Sequence, residues 1–252
     1  MGSPWVGLEH FQRYVESPMF LQILKNTLSL SVYNLVAGFP LPIVLALALH
    51  YTNNQKFKRF VQTVTYAPHF LSTVIVCSMI IMFLSPRSGI INSLLEALGF
   101  ERVFFMSIPS AFKHIYVWSG IWQGIGWSSI IYMAALAGID SSIHESAMLD
   151  GASRLQRIWH IDIPGILPTI VTLLILNTGS LMGSSFEKIY LLQNSLNQSA
   201  SEVIATFVYK RGILGGEFSF STAVGLFNSI INLILMSSVN FISKKVTEVG
   251  LW

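Results

Sequence analysis

Five stretches of this chain are each long and apolar enough to cross a bilayer, and no other feature of the sequence restricts the fold as strongly. A window of about 20 residues, enough to cross a hydrocarbon core about 30 Å thick, finds them near residues 27–49, 61–84, 115–138, 166–182 and 222–242. Each has to be a helix, because a lone strand in lipid leaves its backbone groups unpaired. Composition agrees: only 11% of the residues are charged and 52% are hydrophobic, against roughly 25% charged in a soluble domain. An all-α, polytopic membrane protein follows, and with no internal repeat or low-complexity tract the whole of 1–252 reads as one transmembrane domain. Pro40 and Pro42 fall inside the first span, where each removes a backbone donor, so a kink is expected there.

The same composition excludes several classes of function. Formal charge is +3, and the longest basic run is the short one of Lys56, Lys58 and Arg59, so there is no footprint for nucleic acid. Cys77, the only cysteine, can form no intrachain disulfide and reads as a small buried hydrophobe. No G-x-x-x-x-G-K-[ST] run is present, so the chain carries no phosphate cradle of its own. An intramembrane enzyme would need a nucleophile with a base, or paired acids, and neither H-E-x-x-H nor G-x-S-x-G occurs. A self-sufficient secondary transporter would need ionisable groups in its spans, which hold none apart from His69. His144 and His160 have no second ligand at metal spacing, so no metal is assigned.

Orientation follows from the distribution of positive charge. The connections 50–60, 139–165 and 243–252 hold seven of the 15 Lys and Arg in about half the length that carries the other eight. They are expected to face the cytoplasm, with the C-terminus inside and the N-terminus outside. Residues 1–26 offer neither a basic n-region nor an apolar h-region for crossing the membrane, so a further span upstream is expected. On the outer side, 88–98 has the apolar spacing of a short surface helix, and 202–209 is a second short helical segment.

The longest internal connection, 139–165, carries the richest signal: IDSSIHESAMLDGASRLQRIWHIDIPG. Ser142 with Glu145 has capping-box spacing, which predicts a helix running to Asp150. Gly151 allows a left-handed turn, and a second amphipathic stretch runs from Ser153 until Pro164 ends it. A helix, a sharp turn and a second helix under the membrane suit docking into a groove of a partner.

In this connection Glu145, Ala147, Gly151, Ile161 and Pro164 resemble the EAA loop of permease subunits in binding-protein-dependent ABC importers, with Ser146 in place of the middle alanine. NTLSLSV at 26–32, YAPHF at 66–70, TFVYKRGI at 206–213 and the ending FISKKVTEVGLW extend the resemblance to the carbohydrate permeases of that superfamily, particularly those for lipo-oligosaccharides, polygalacturonan oligosaccharides and alginate oligosaccharides. The resemblance implies a type I ABC importer permease fold with five visible transmembrane helices and a cytoplasmic coupling helix, in a bacterial plasma membrane. Its implied partners are a second homologous permease, two ATPase subunits that bind the ATP and Mg, an external solute-binding protein and an oligosaccharide; the chain itself would hold no cofactor. Glu145 would pair with a basic residue of the ATPase, and Gly151 would supply the tight turn.

A sugar path needs aromatic faces and hydrogen-bonding groups. The third span offers Trp118, Trp122 and Trp127 among Gly120, Gly124 and Gly126, an arrangement equally suited to helix packing and interfacial anchoring. Alignment with the maltose importer's permease carries its sugar-contacting positions onto Gly124, Trp127, Met182 and Ser185, and, through the proline of YAPHF, onto Thr65 and His69. His69 reads equally as a satisfied core histidine. Glu187 with Lys188, and Lys210 with Arg211, are expected to face outside, either to meet an acidic sugar or the binding protein or as snorkelling and solvated charges.

Overall fold

A computed structural model of the protein describes residues 5–183 and 186–251. Every regular element among the described residues is helical: α1 Glu9–Val15, α2 Phe20–Gly38, α3 Pro40–His50, α4 Gln55–Tyr66, α5 Thr73–Phe83, α6 Ile90–Ala97, α7 Pro109–Ala137, α8 Ser141–Leu149, α9 Arg154–Arg157, α10 Ile163–Gly179, α11 Phe186–Leu192, α12 Gln198–Ser201, α13 Ile204–Tyr209 and α14 Phe218–Thr247. A 3₁₀ turn, Ala67–Phe70, prolongs α4. The π-helical turns Ile158–Asp162 and Lys210–Leu214 connect α9 to α10 and follow α13.

Three helical runs are long and apolar enough to cross a membrane: Phe20–His50, Arg154–Gly179 and Phe218–Thr247. Gln55–Phe70 and Thr73–Phe83 make a fourth if they count as one broken span. The break follows from chemistry: Pro68 lacks an N–H, and the Ser72 side chain accepts from the Ile75 N–H at 3.3 Å, capping a new helix. The 29-residue α7 is equally long, but Gln123 and the Trp, Gly and Ser residues around it dilute its apolar character. At the expected kink, Pro40 opens α3 in its first turn, where a missing N–H costs nothing, and Phe39 keeps helical dihedral angles between α2 and α3.

The chain divides into two compact units, with boundaries inside α2, α7 and α14. The first unit comprises Met1–Asn34, Leu71–Ser119 and Gly179–Leu235. Its core gathers Tyr14, Ile23, Met182, Ile204, Phe207, Phe220 and Val224. Polar side chains do the positioning around it. Thr27 Oγ1 accepts from the Ile204 N–H at 3.0 Å, and Asn26 Nδ2 donates to the carbonyls of Ser199 and Glu202, fixing the α12–α13 segment to α2. Asn92 does the same for α6, bonding the carbonyls of Leu84, Ser85 and Val103 while Ile90, Leu94 and Leu98 stay exposed along its outer face.

The second unit comprises Leu35–Phe70, Gly120–Thr178 and Met236–Trp252. Ala46, Leu47, Tyr132, Leu136 and Ile166 form its core, flanked by Ile43, Ile139 and Ile170. In lipid such contacts stabilise by close packing, since lipid tails are as apolar as the side chains they would replace. Yet Val36, Phe60, Val64, Phe241 and Ile242 are all exposed, apolar surface that only lipid or another apolar partner satisfies.

Candidate functional site

Two groups of side chains in the second unit have the chemistry of a working site. The first is the segment α8–turn–α9. Its helix starts two residues earlier than the Ser142 capping box predicts, because Asp140 is the N-cap: its Oδ1 accepts from the Ser142 N–H at 2.9 Å. That hydrogen bond holds the Asp140 carboxyl below its ordinary value. An aspartate at this end also complements the helix dipole, which favours it over the serine two residues on.

At the other end of α8, Gly151 has φ +79°, with the Ala152 N–H on the Ala147 carbonyl at 2.9 Å and the Gly151 N–H on the Met148 carbonyl at 3.1 Å. This paired pattern is a Schellman termination, and it requires a left-handed residue that costs other residues about 1–2 kcal/mol. Ser153 and Gln156 then form a reciprocal capping box that starts α9. Glu145 is exposed on α8 and Ala147 is half-buried. Ile161 lies within the π-helical turn.

Pro164 does not end the second helix as the sequence suggests. Helix runs unbroken from Arg154 to Gly179, with the π-helical turn immediately before Pro164. A wide turn there loosens the ladder just where proline lacks its donor and needs room for its ring.

The second group is aromatic. The His69 and Trp127 rings stack with centroids 4.4 Å apart and planes 2° from parallel, and Phe70 meets Trp127 edge-on at 5.9 Å. His69 is exposed and so is Trp127, which makes the pair an open platform and His69 no core histidine. Gly124, one turn before Trp127, has open space where a Cβ would stand, whereas a Cβ on Gly126 would overlap the Thr65 carbonyl. Close approach of α7 to α4 therefore depends on Gly126. The Thr65 hydroxyl donates to the Val61 carbonyl of its own helix at 2.8 Å.

Of the two remaining expected pathway positions, one is described. Met182 is fully buried in the core of the first unit, its N–H bonded to Asn232 Oδ1 at 2.9 Å and its thioether packed among aromatic side chains. Ser185 lies outside the described residues. Lys188 does not snorkel: it is 5% exposed and its Nζ donates to the Tyr116 carbonyl at 3.1 Å. Lys210 is likewise structural, bonded at 2.6 Å to both Gln193 Oε1 and the buried Glu202 Oε2, while Arg211 stays half-exposed beside Glu217. Cys77 is buried, as expected.

One cluster escaped the sequence reading. His144, set aside for want of a second ligand, meets His50 and Asp162, residues separated from it by long intervals of chain. Asp162 Oδ2 accepts from the Tyr51 hydroxyl at 2.6 Å; burial, and then this bond, push the Tyr51 hydroxyl up to about 12. Nothing in local spacing announces such a convergence.

The family described as binding-protein-dependent transport system inner membrane component matches residues 38–248. The polygalacturonan/rhamnogalacturonan transport system permease protein YteP of Bacillus subtilis is 44% identical over 252 residues, covering 100% of this chain and 78% of that protein. A bacterial ABC transporter involved in the import of the acidic polysaccharide alginate contains a chain of the same fold, with a TM-score of 0.95 and 39% identity over 97% of this chain and 86% of that one. The bacterial alginate ABC transporter in complex with its alginate pentasaccharide-bound periplasmic protein gives a TM-score of 0.95 and 39% identity over 98% and 85%. On that coverage, the chain belongs to the family of binding-protein-dependent transport system inner membrane components, the membrane-embedded permease subunits of ABC importers.

Proposed function

We propose that this chain is the permease subunit of an ATP-driven importer for oligosaccharides, acidic ones such as alginate or pectin fragments included, delivered by an external binding protein. In this reading 1–252 is a single permease domain with five membrane-spanning helices, α7 among them, and a cytoplasmic C-terminus. It pairs with a second homologous permease and two ATPase subunits, and it catalyses no reaction itself. Residues 139–165 form the coupling loop: Glu145, Ala147, Gly151, Ile161 and Pro164 seat it on the ATPase, whose closure shifts the membrane helices between inward-open and outward-open populations. Trp127 and His69 present the aromatic platform to the sugar, with Thr65 and Gly124 beside it. Met182 and Ser185 are the further solute-contacting positions in this reading.

One observation carries the reading: an exposed helix ending in a Schellman turn at Gly151, with Glu145 on its surface, at the spacing of the EAA loop. The relatives that import polygalacturonan or alginate support the choice of cargo. The test is a detergent pull-down of the tagged chain co-expressed with its genomic neighbours, comparing wild type with Glu145→Arg. Wild type should retain an ATPase subunit and the variant should lose it; no ATPase with wild type, or equal retention by both, overturns the assignment.

A further inference from the structure

Three side chains from separate stretches of the second unit converge on one point. His50 closes α3, His144 sits midway along α8, and Asp162 ends the π-helical turn before α10; one ligand atom from each lies within 4.8 Å of the others. Asp162 is fully buried, and its Oδ1 lies 3.2 Å from His144 Nε2. Neither atom has a hydrogen bond: the two are close but not aligned to share a proton. A buried carboxylate oxygen without a donor is costly, and native folds rarely leave one so placed without a ligand to satisfy it.

The spacing fits a metal ion. Two ligands about 2.0–2.1 Å from one Zn²⁺ at the tetrahedral angle stand about 3.4 Å apart, close to the separation of Asp162 and His144. His50, half-exposed on the end of its helix, has to close by about 1.4 Å at most, which a side-chain rotation supplies. Two imidazoles and one carboxylate suit Zn²⁺ and its neighbours, whereas Mg²⁺ and Ca²⁺ take predominantly oxygen ligands. Tyr51 provides the supporting shell: by donating to Asp162 Oδ2 it leaves Oδ1 to face the two histidines. The two partly exposed imidazoles leave an entry path and room for a solvent ligand in the fourth position.

We propose that His50, His144 and Asp162 bind a divalent transition-metal ion of the Zn²⁺ class, which ties α8 to the ends of α3 and α10. Unlike the family-derived roles, this site needs no partner subunit, and its test is independent of transport. The full chain, purified in detergent with whatever subunits it retains and stripped with EDTA, is titrated with Co²⁺ as a spectroscopic probe and then with Zn²⁺. Wild type should develop a saturable visible absorption band at one ion per chain, abolished by Zn²⁺, together with a higher melting midpoint.

His50→Gln and His144→Gln, which leave the Asp162–Tyr51 bond in place and so preserve the fold, should each lose the band. Tyr51→Phe should keep it with affinity about 10–100-fold weaker. His160→Gln, whose ring bonds the Gln156 carbonyl outside the cluster, should match wild type. No saturable band, or a band unchanged in His144→Gln, overturns the proposal. A melting midpoint that follows pH but ignores metal overturns it as well, and makes the cluster a proton-linked contact.

Discussion

At the scale of single residues, two glycines two positions apart, and so on opposite sides of α7, play opposite parts. Gly126 is where α7 comes against the α4 backbone, so Gly126→Ala should lower the melting midpoint sharply or prevent recovery of folded protein from the membrane, because the neighbouring carbonyl cannot yield as a flexible side chain would. Gly124 faces open space, and Gly124→Ala should melt like wild type or slightly higher, since alanine is worth about 1 kcal/mol over glycine inside a helix. Fluorescence-detected size exclusion after a temperature series separates the two. The sequence marked Gly124 as a pathway position through its resemblance and left Gly126 as one glycine of a set, because what singles out Gly126 is the backbone that crosses nearby. It fared better at Gly151, where the need for a left-handed residue is local and shows in the text itself. The buried fates of Met182 and Lys188 were illegible for the same reason as the glycines: both depend on neighbours brought in from other elements.

At the scale of elements, three apolar runs and one broken pair were readable, because burial in lipid writes itself into every residue of such a span, while α7, the remaining expected span, is less apolar than these. Their ends were not, since a proline marks a stop only where the surrounding turn cannot widen, and at Pro164 it does. The short helices α12 and α13 are held by a polar knot, with Lys210 bonded to Gln193 and to Glu202, and Glu202 in turn accepting from the Thr206 hydroxyl at 3.0 Å. Lys210→Met leaves Glu202, 2% exposed, without its counter-ion. Breaking a buried pair from one side typically costs about 3–5 kcal/mol, and the 30% exposure of Lys210 puts the expected loss toward or below the lower figure. Thermal melting in detergent should show the drop, and Lys210→Met with Glu202→Gln should recover part of it; a single variant as stable as wild type would mean that solvent already screens the pair.

At the scale of the whole molecule, coupling and solute recognition are separate tasks, and they should separate in kinetics. Trp127→Ala removes the larger face of the aromatic platform without touching α8, so solute-stimulated ATP turnover by the reconstituted importer should fall several-fold while basal turnover stays near wild type; equal loss in both would make Trp127 a packing residue. The π-helical turn Ile158–Asp162 has a consequence of the same reach. An α-helix advances about 100° per residue, so a single residue taken out of that turn would restore an ordinary repeat and rotate everything before it out of phase with the span that follows. Such a chain would keep its full complement of lipid-facing side chains and still present the wrong side of α8 to whatever it grips: a key with its teeth intact, cut on the wrong edge.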